Sequence, residues 1–209
     1  MRVLAVGAGG VGTSAALIAA RRGFFDHWVV SDYDAARAEQ VVALVGDSRF
    51  VAAQVDASSA DAVAALCREH RITHVLNVVD PRFVLPIFDG AFAAGADYLD
   101  TAMSLSRPHP TAPFAEVGVK LGDEQFERAP AWEGAGRLAL CGIGVEPGLA
   151  DVFARYAADH LFSEIDEIGI RDGANLVVDG YDFAPSFSIW TTIEECLNPP
   201  VIWEAGRGW

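Results

Sequence analysis

The sequence is poor in basic residues. Its 209 residues include 15 lysine and arginine residues against 29 aspartate and glutamate residues, which gives a formal net charge of −14. A surface of that sign repels phosphate backbones and anionic lipids, so the composition argues against a nucleic-acid partner and against binding at a membrane. A ligand that carries phosphate groups can still bind locally, because the N-terminus of a helix offers unpaired backbone N–H groups.

Long apolar runs and metal-binding patterns are also missing. No stretch approaches the roughly 18 uninterrupted apolar residues of a membrane-spanning helix. Glycines interrupt the apolar N-terminus at once, which is unlike a signal peptide. The three cysteines lie far apart without a C-x-x-C pair, and the histidines show no paired spacing. We therefore predict no metal site, and we expect reduced thiols and a cytoplasmic location.

The sequence does contain a regular alternation of short apolar runs and longer helical patterns. Strands are predicted at Val3–Val6, Trp28–Ser31, Phe50–Gln54, His74–Val78, Asp97–Leu99 and Arg137–Ile143. Helices are predicted at Val11–Arg22, Ala35–Val45, Ser59–Glu69 and Arg82–Ala94, with one more ending near His160. Continuous apolar strands are typical of a parallel sheet whose two faces are both covered by helices. The pattern predicts an α/β fold, a doubly wound Rossmann parallel sheet with right-handed crossovers.

Local signals mark several helix ends. Asp80 precedes a proline at the first helical position, so its carboxylate is expected to cap that helix. Ser58 or Ser59 can cap the third helix in the same way. Gly95 is expected to end the fourth helix.

The character of the sequence changes after the sixth predicted strand. Glu164–Arg171 alternates like a half-exposed strand, and the later residues mix strand formers with prolines. We predict a Rossmann domain over residues 1–143 and the beginning of an α+β second domain over residues 144–209. Because few residues follow Gly142, we expect the second domain to be truncated or to be completed by a partner.

A glycine-rich turn follows the first predicted strand. The letters GAGGVG match G-x-G-x-x-G and lie between a strand and an amphipathic helix, which is the context that this motif requires. Gly7 would permit the tight bend, Gly9 would let a pyrophosphate approach the backbone, and Gly12 would let helix and strand pack closely. We therefore predict that Gly7, Gly9, Gly10, Val11 and Gly12 bind a dinucleotide cofactor.

Polar side chains at the ends of the strands extend this site. Asp32 lies twenty residues past Gly12, where a carboxylate accepts hydrogen bonds from the adenosine ribose. A 2′-phosphate would meet that carboxylate as a like charge, so NAD is favoured and NADP remains possible, since Arg37 one turn on could lessen the repulsion. Asp56 could reach the adenine or be an ordinary loop carboxylate. Asn77 is expected beside the nicotinamide.

Four stretches of the chain together resemble the saccharopine dehydrogenase-like oxidoreductases. They are the glycine fingerprint, NVVDPRFVLPIFDGAFAAGADYLDTA, GVEPGLADVFARYAAD, and GYDFAPSFSIWTTIEE with PPVIWE. The last two are similar to the carboxynorspermidine dehydrogenase branch. The resemblance implies an NAD(P)-dependent enzyme that transfers a hydride to or from a carbon–nitrogen bond of an amino-acid or polyamine-like substrate. It also implies a second domain that carries substrate contacts and the interface of a homodimer.

The chemistry implied by this resemblance needs a proton donor near the nicotinamide. Asp100 could be a general acid if burial raises its pKa, or a structural residue that caps the next loop. Glu146 could polarise a substrate amine, hold a ribose hydroxyl, or cap the following helix. We predict Asp100 and Glu146 as the catalytic residues and Cys141 as an inert buried thiol. The alternative function is a non-catalytic NAD(P)-binding module for redox sensing or scaffolding.

Overall fold

A six-stranded parallel sheet organises the fold. The computed structural model describes residues 1–171, 173, 177–182, 189, 193 and 196–209. The strands are β1 (Arg2–Val6), β2 (His27–Asp32), β3 (Phe50–Gln54), β4 (His74–Asn77), β5 (Asp97–Asp100) and β6 (Ala139–Leu140). Their order in the sheet is β3-β2-β1-β4-β5-β6, and every neighbouring pair is parallel. Successive strands are added on one side of β1 up to β3 and on the other side from β4 onward, so the strand order reverses between β1 and β4. Ligands of such sheets bind in the crevice at the carboxyl ends of these two strands.

Helices cover both faces of this sheet. Those that contribute residues to the two cores are α1 (Gly10–Ala19), α2 (Ala35–Val45), α3 (Ala60–Glu69), α4 (Val84–Ala94) and α6 (Ala129–Gly134). The chain also contains α5 (Asp123–Phe126), α7 (Leu149–His160) and a 3-10 turn at Pro81–Phe83. One core cluster joins Leu4 of β1 to residues of α3, α4 and α6, such as Phe88. The other joins Val3 and Ala5 to α1 and α2. Alternate residues of β1 thus face opposite cores, which confirms the predicted doubly wound sheet.

The predicted helix caps are present. Of the two serines proposed for α3, Ser59 is the cap, and its side chain accepts from Ala62 N–H. A further cap, which was not predicted, is Asp34, whose side chain accepts from Ala36 N–H at the start of α2. Asp80 accepts from Arg82 N–H before the 3-10 turn. Gly95 ends α4 with φ +70°, a conformation that L side chains rarely adopt. These contacts fix where the chain leaves each strand and enters each helix.

The sixth strand is shorter than the sequence predicts. Only Ala139 and Leu140 pair with β5, although Arg137–Ile143 was the expected range. The pairing stops because β5 ends at Asp100 and because Gly142 turns the chain with φ +71°. The segment that precedes β6 forms the two short helices α5 and α6.

The chain divides into two compact units. One comprises Met1–Leu105 and Leu121–Leu149, and the other comprises Ser106–Lys120 and Ala150–Trp209. In the second unit, Arg107 and Val119 form an isolated antiparallel bridge. The strand expected at Glu164–Arg171 is absent from that described segment, and Ile168 and Ile170 are exposed. The stretch with letters FAPSFS and the tryptophan and threonines of WTTIEE lie outside the described residues.

Candidate cofactor-binding site

The turn from β1 into α1 contains two glycines that have no room for a side chain. Gly7 has φ +113°, and a Cβ on it would lie 2.7 Å from Val79 Cγ1. A Cβ on Gly12 would lie 1.8 Å from the carbonyl oxygen of Gly7. At Gly9 and Gly10, by contrast, a Cβ would meet no atom within 4 Å. The turn is therefore closed toward the sheet and open on its outer side.

Helix α1 begins without a side-chain cap. The first intrahelical contact is from Thr13 N–H to Gly9 carbonyl oxygen, at 2.9 Å. The N–H groups of Gly10, Val11 and Gly12 make no hydrogen bond to any residue in the described part of the chain. Unpaired N–H groups at the positive end of a helix dipole form an anion site, and the turn therefore has the donors that a pyrophosphate requires.

A cleft of about 340 Å³ opens beside this turn. It brings together four of the predicted cofactor residues, which are Gly7, Gly9, Asp32 and Asp56. The cleft is also lined by residues that the sequence did not place at a cofactor site: Val6, Tyr33, Val55, Ala57, Val78, Val79 and Phe83. Asp80, which the sequence favours as a helix cap over a ligand, lines the cleft too. Arg37 lines it as well. Residues from the ends of β1, β2, β3 and β4 therefore meet at one place, the switch point of the sheet.

Asp32 ties the end of β2 to the glycine turn. Its Oδ2 accepts a hydrogen bond from Ala8 N–H at 2.9 Å, and its Oδ1 accepts one from Asp34 N–H at 3.0 Å. The turn is held a second time by Gly7 N–H, which donates to the carbonyl oxygen of Ser31 at 2.7 Å. A carboxylate oxygen can accept more than one hydrogen bond, so Asp32 retains acceptor capacity toward the cleft.

Asp56 lies at the far side of the cleft, after β3. Its Oδ1 accepts from the Oγ of Ser58 at 2.6 Å and from the backbone N–H of Ser58 at 2.9 Å. These hydrogen bonds lower the pKa of Asp56 below its ordinary value, although partial desolvation opposes them. Asp56 is therefore ionised at neutral pH and acts as an acceptor.

Asn77 and Asp100 lie in a buried polar network rather than in the cleft. The amide of Asn77 donates to the hydroxyl of Tyr98 at 2.9 Å, and that hydroxyl donates to Asp100 Oδ2 at 2.9 Å. Gln125 donates to the same oxygen at 2.8 Å. Asn77 also accepts from Val79 N–H at 3.2 Å. Nothing in the sequence pointed to Gln125, which lies in α5 within an irregular stretch.

The carboxyl group of Asp100 is 1% exposed. Burial raises its pKa above the ordinary value, and the hydrogen bonds from Gly142 N–H, Gln125 and Tyr98 oppose that shift. The bond from Gly142 is 2.6 Å long, and the backbone carbonyl of Asp100 accepts from Ile143 N–H at 2.8 Å. Asp100 thus holds the end of β6 against β5, and its predicted role as a proton donor stays a prediction.

Glu146 lies in the turn between β6 and α7. This turn is closed by Gly144 N–H, which donates to the carbonyl oxygen of Pro147 at 2.9 Å, and by Leu149 N–H, which donates to Gly144 at 3.0 Å. Glu146 is exposed and does not line the cleft. A Cβ on Gly144 would lie 2.5 Å from the carbonyl oxygen of Thr101, so the turn packs closely on the end of β5. The predicted catalytic role of Glu146 stays a prediction.

Cys141 follows β6 and is half-buried. Burial raises the pKa of its thiol to about 12, and the nearby carboxylate of Asp100 acts in the same direction. A raised pKa favours the protonated thiol at neutral pH. Cys141 is half-buried rather than buried, and its predicted inertness stays a prediction. Within the described ranges, no group of three or more potential ligands is placed to hold a metal ion. No helix in the described part of the chain is long and apolar enough to cross a bilayer.

Comparison with known proteins gives a family match over this site. Residues 3–140 match the model of the saccharopine dehydrogenase NADP-binding domain. The carboxynorspermidine synthase of Vibrio cholerae is 28% identical over 216 residues, which cover 99% of this chain and 51% of that protein. The carboxyaminopropylagmatine dehydrogenase of Synechocystis is 31% identical and covers 93% of this chain and 46% of its own length. The chain thus spans about half the length of these curated relatives.

A solved structure agrees with the fold. The saccharopine dehydrogenase (L-Glu forming) of Saccharomyces cerevisiae superposes with a TM-score of 0.58 at 18% identity. The superposition covers 77% of this chain and 31% of the yeast chain. At this identity the likeness concerns the arrangement of strands and helices alone.

Proposed function

The chain belongs to the saccharopine dehydrogenase family, and from this premise we propose that it binds a nicotinamide dinucleotide and takes part in an oxidation or reduction at a carbon–nitrogen bond. The observation that carries the proposal is the glycine turn, with three unpaired N–H groups and open space at Gly9. A Cβ at Gly9 would project into that space, where a pyrophosphate must approach the backbone.

The residues of the cleft suit the parts of such a cofactor. We assign the pyrophosphate to the N–H groups at the start of α1 and the adenosine ribose to Asp32, whose oxygens still have acceptor capacity. Asp56, an ionised acceptor on the far side of the cleft, is assigned to the adenine amino group. A carboxylate at the ribose favours an unphosphorylated 2′-hydroxyl, so NADH is the first cofactor to test. When bound, the dinucleotide supplies or accepts the hydride.

The names of the relatives support a substrate class. Two relatives are named for carboxynorspermidine and carboxyaminopropylagmatine, and both names describe amines that carry an added carboxyl group. We propose a substrate of this type, an amine condensed with a carboxyl-bearing aldehyde or keto acid. Asp100 and Glu146, at the ends of β5 and β6, remain our candidates for proton transfer and substrate binding.

Three further expectations belong to this proposal. We propose that the Rossmann domain ends near residue 143 and that the following residues begin a domain for substrate binding and dimerisation. We propose a homodimer without a nucleic-acid partner, because the net charge of −14 opposes polyanions. We also propose a cytoplasmic location, because the three widely spaced cysteines are typical of reduced thiols.

The test is cofactor binding followed by turnover. We expect the purified chain to bind NADH in a fluorescence titration, and we expect NADH to be oxidised when an amino acid and a semialdehyde are added. Gly9→Ala should raise the Kd for NADH at least tenfold, because the added methyl group lies on the open side of the turn. It should not lower stability, because Gly9 has the extended backbone angles φ −80° and ψ −162°.

Gly134→Ala is the matched control. Gly134 lies at the end of α6, and a Cβ on it would also meet nothing within 4 Å, but it does not line the cleft. We expect unchanged NADH binding in this variant. If Gly9→Ala binds NADH as the parent chain does, the pyrophosphate assignment is wrong. If NADH binds but no amine–aldehyde pair oxidises it, the chain is a binding module.

A further inference from the structure

Gln125 is a buried glutamine in α5 whose side chain joins two parts of the chain that are distant in sequence. It is 2% exposed. Its Oε1 accepts from Ser104 N–H at 2.8 Å, and its Nε2 donates to Asp100 Oδ2 at 2.8 Å. Because a backbone N–H can only donate, the amide oxygen must face Ser104 and the amide nitrogen must face Asp100. The orientation of the amide is therefore fixed, and the oxygen of Asp100 that it meets is an acceptor.

Asp100 accepts hydrogen bonds at both of its carboxylate oxygens. The hydroxyl of Tyr98 also donates to Oδ2, at 2.9 Å, and Gly142 N–H donates to Oδ1 at 2.6 Å. In the part of the chain that the structure describes, no lysine, arginine or histidine pairs with this carboxylate. A buried carboxylate without a cation is costly unless hydrogen-bond donors satisfy its oxygens. The three neutral donors, of which Gln125 is one, therefore decide whether the carboxylate stays in this orientation.

Asp100 in turn anchors the turn between β6 and α7. Besides the hydrogen bond from Gly142 to its side chain, its backbone carbonyl accepts from Ile143 N–H at 2.8 Å. Glu146 lies three residues after Ile143 in the same turn. Gln125 contacts this turn only through Asp100, and it does not line the cofactor cleft. Its influence on the two sites should therefore differ.

We propose that Gln125 is a positioning residue for the proposed reaction, which holds the carboxylate of Asp100 in the orientation that fixes the turn carrying Glu146. The inference rests on the proposed function, because Glu146 is a candidate for proton transfer or substrate binding in that reaction. A residue of this kind sets the geometry of the reacting groups and makes no contact with the dinucleotide. Its replacement should therefore lower kcat and leave the Kd for NADH unchanged.

The experiment replaces the amide of Gln125 in two ways in the full chain. Gln125→Leu removes the donor at every pH, whereas Gln125→Glu introduces a carboxyl group that can donate only while it is protonated. Two carboxyl groups at hydrogen-bond distance share one proton, so the second variant should hold Asp100 at low pH and repel it at high pH. We expect Gln125→Leu to lower kcat for NADH oxidation at least tenfold and to keep the Kd for NADH within twofold. Gln125→Glu should come within threefold of the parent kcat at about pH 5.5 and lose at least tenfold by about pH 9.

Two other ionisable side chains face Asp100, and neither titrates in this range. Burial raises the pKa of Tyr98 above its ordinary value and raises that of Cys141 to about 12, so both stay protonated. Asp123 and Glu124 precede the glutamine in α5 and are half-buried. Because these four side chains are common to the parent chain and the variants, a difference in pH profile reports the new carboxyl group.

Gln40→Glu is the matched control for charge. Gln40 is an exposed glutamine in α2 that does not line the cleft, so its replacement should leave kcat and its pH profile unchanged. A second measurement does not depend on turnover. Hydrogen exchange at the amides of Gly142 and Ile143 should be at least tenfold faster in Gln125→Leu than in the parent chain, because their acceptor is no longer held in place.

The inference is overturned if Gln125→Leu keeps the parent kcat, or if it weakens NADH binding as much as it lowers kcat. It is also overturned if Gln125→Glu is impaired equally at both pH values, since a proton then restores nothing. If the parent chain binds NADH but oxidises it with no amine–aldehyde pair, the proposed reaction fails by itself. Unchanged hydrogen exchange at Gly142 and Ile143 in Gln125→Leu would then overturn the positioning role separately.

Discussion

Replacing Gly12 by alanine should destabilise the fold itself, before any cofactor is considered. A Cβ on Gly12 would lie 1.8 Å from the carbonyl oxygen of Gly7 and 2.9 Å from its carbonyl carbon. Real Cβ atoms essentially never come closer than 3.0 Å to a heavy atom, so helix and turn must separate by more than about 1 Å. Gly7 cannot yield easily, because its N–H is held by Ser31 at 2.7 Å.

The size of the effect follows from two opposing contributions. Overpacking a tight contact costs about 1–3 kcal/mol, and occasionally more. Alanine gains ~1 kcal/mol over glycine in a helix interior. The added methyl group belongs to a helix and would clash with backbone atoms of Gly7, which cannot rotate away as a side chain could. We therefore expect a cost of about 3 kcal/mol, the upper value of that range. The net loss in the free energy of unfolding should be about 2 kcal/mol, which for a chain of this size lowers Tm by roughly 4–8 °C.

The assay is urea unfolding, followed by circular dichroism, with Gly10→Ala as the matched control. Gly10 opens the same helix, and a Cβ on it would meet nothing within 4 Å, so this variant should be as stable as the parent chain or slightly more stable. If Gly12→Ala stays within about 0.5 kcal/mol of the parent chain, the close packing of α1 on β1 is not as described. A parallel loss in Gly10→Ala would point to the helix N-terminus rather than to the contact with Gly7.

Three further predictions concern the rest of the fold. Tyr98→Phe should lower the unfolding free energy by about 1–3 kcal/mol, because it removes a hydrogen bond to the buried carboxylate of Asp100; a urea titration that finds less than about 0.5 kcal/mol would contradict this. Burial, together with Arg2 and His70, lowers the pKa of His27 below 6.5, so the unfolded chain takes up a proton first and the unfolding free energy should fall as the pH drops below that value. Urea titrations at several pH values should give a flatter dependence for His27→Gln, and an equal slope would refute the assignment. Of the three thiols, Cys196 alone should react rapidly with a disulfide reagent at pH 8, because burial raises the pKa of the other two to about 11 and about 12; a second fast equivalent would show that the half-buried thiol is accessible.

Most of the fold could be predicted from the sequence, because strands and helix ends are marked by residues close to them in the chain. Continuous apolar runs predicted the bounds of β1 to β5 within two residues at each end. Capping residues such as Asp80 and Ser59 predicted where helices begin. The sixth strand was overestimated, since its end depends on a partner strand that stops at Asp100 and not on its own residues. The alternation of apolar and polar residues at Glu164–Arg171 wrongly predicted a strand, since no neighbouring strand pairs with this described segment.

The site could be predicted only in part, because it depends on contacts between residues that are distant in the sequence. The motif and the twenty-residue spacing identified the glycine turn and Asp32, which line one cleft with Asp56. The partners of Asn77 and Asp100 could not be read from spacing, since Tyr98 and Gln125 reach them through the folded core.

The hydrogen bond from Ala8 to Asp32 has a consequence for attempts to change the cofactor. The usual route to NADP preference is to replace the acidic residue after the second strand. Here that carboxylate also fastens the glycine turn to the neighbouring strand, at 2.9 Å. Its removal would take away one of the two hydrogen bonds described for this turn and leave the one from Gly7 N–H to the carbonyl oxygen of Ser31. A redesign that leaves Asp32 in place would keep the hydrogen bond that Ala8 N–H donates to it.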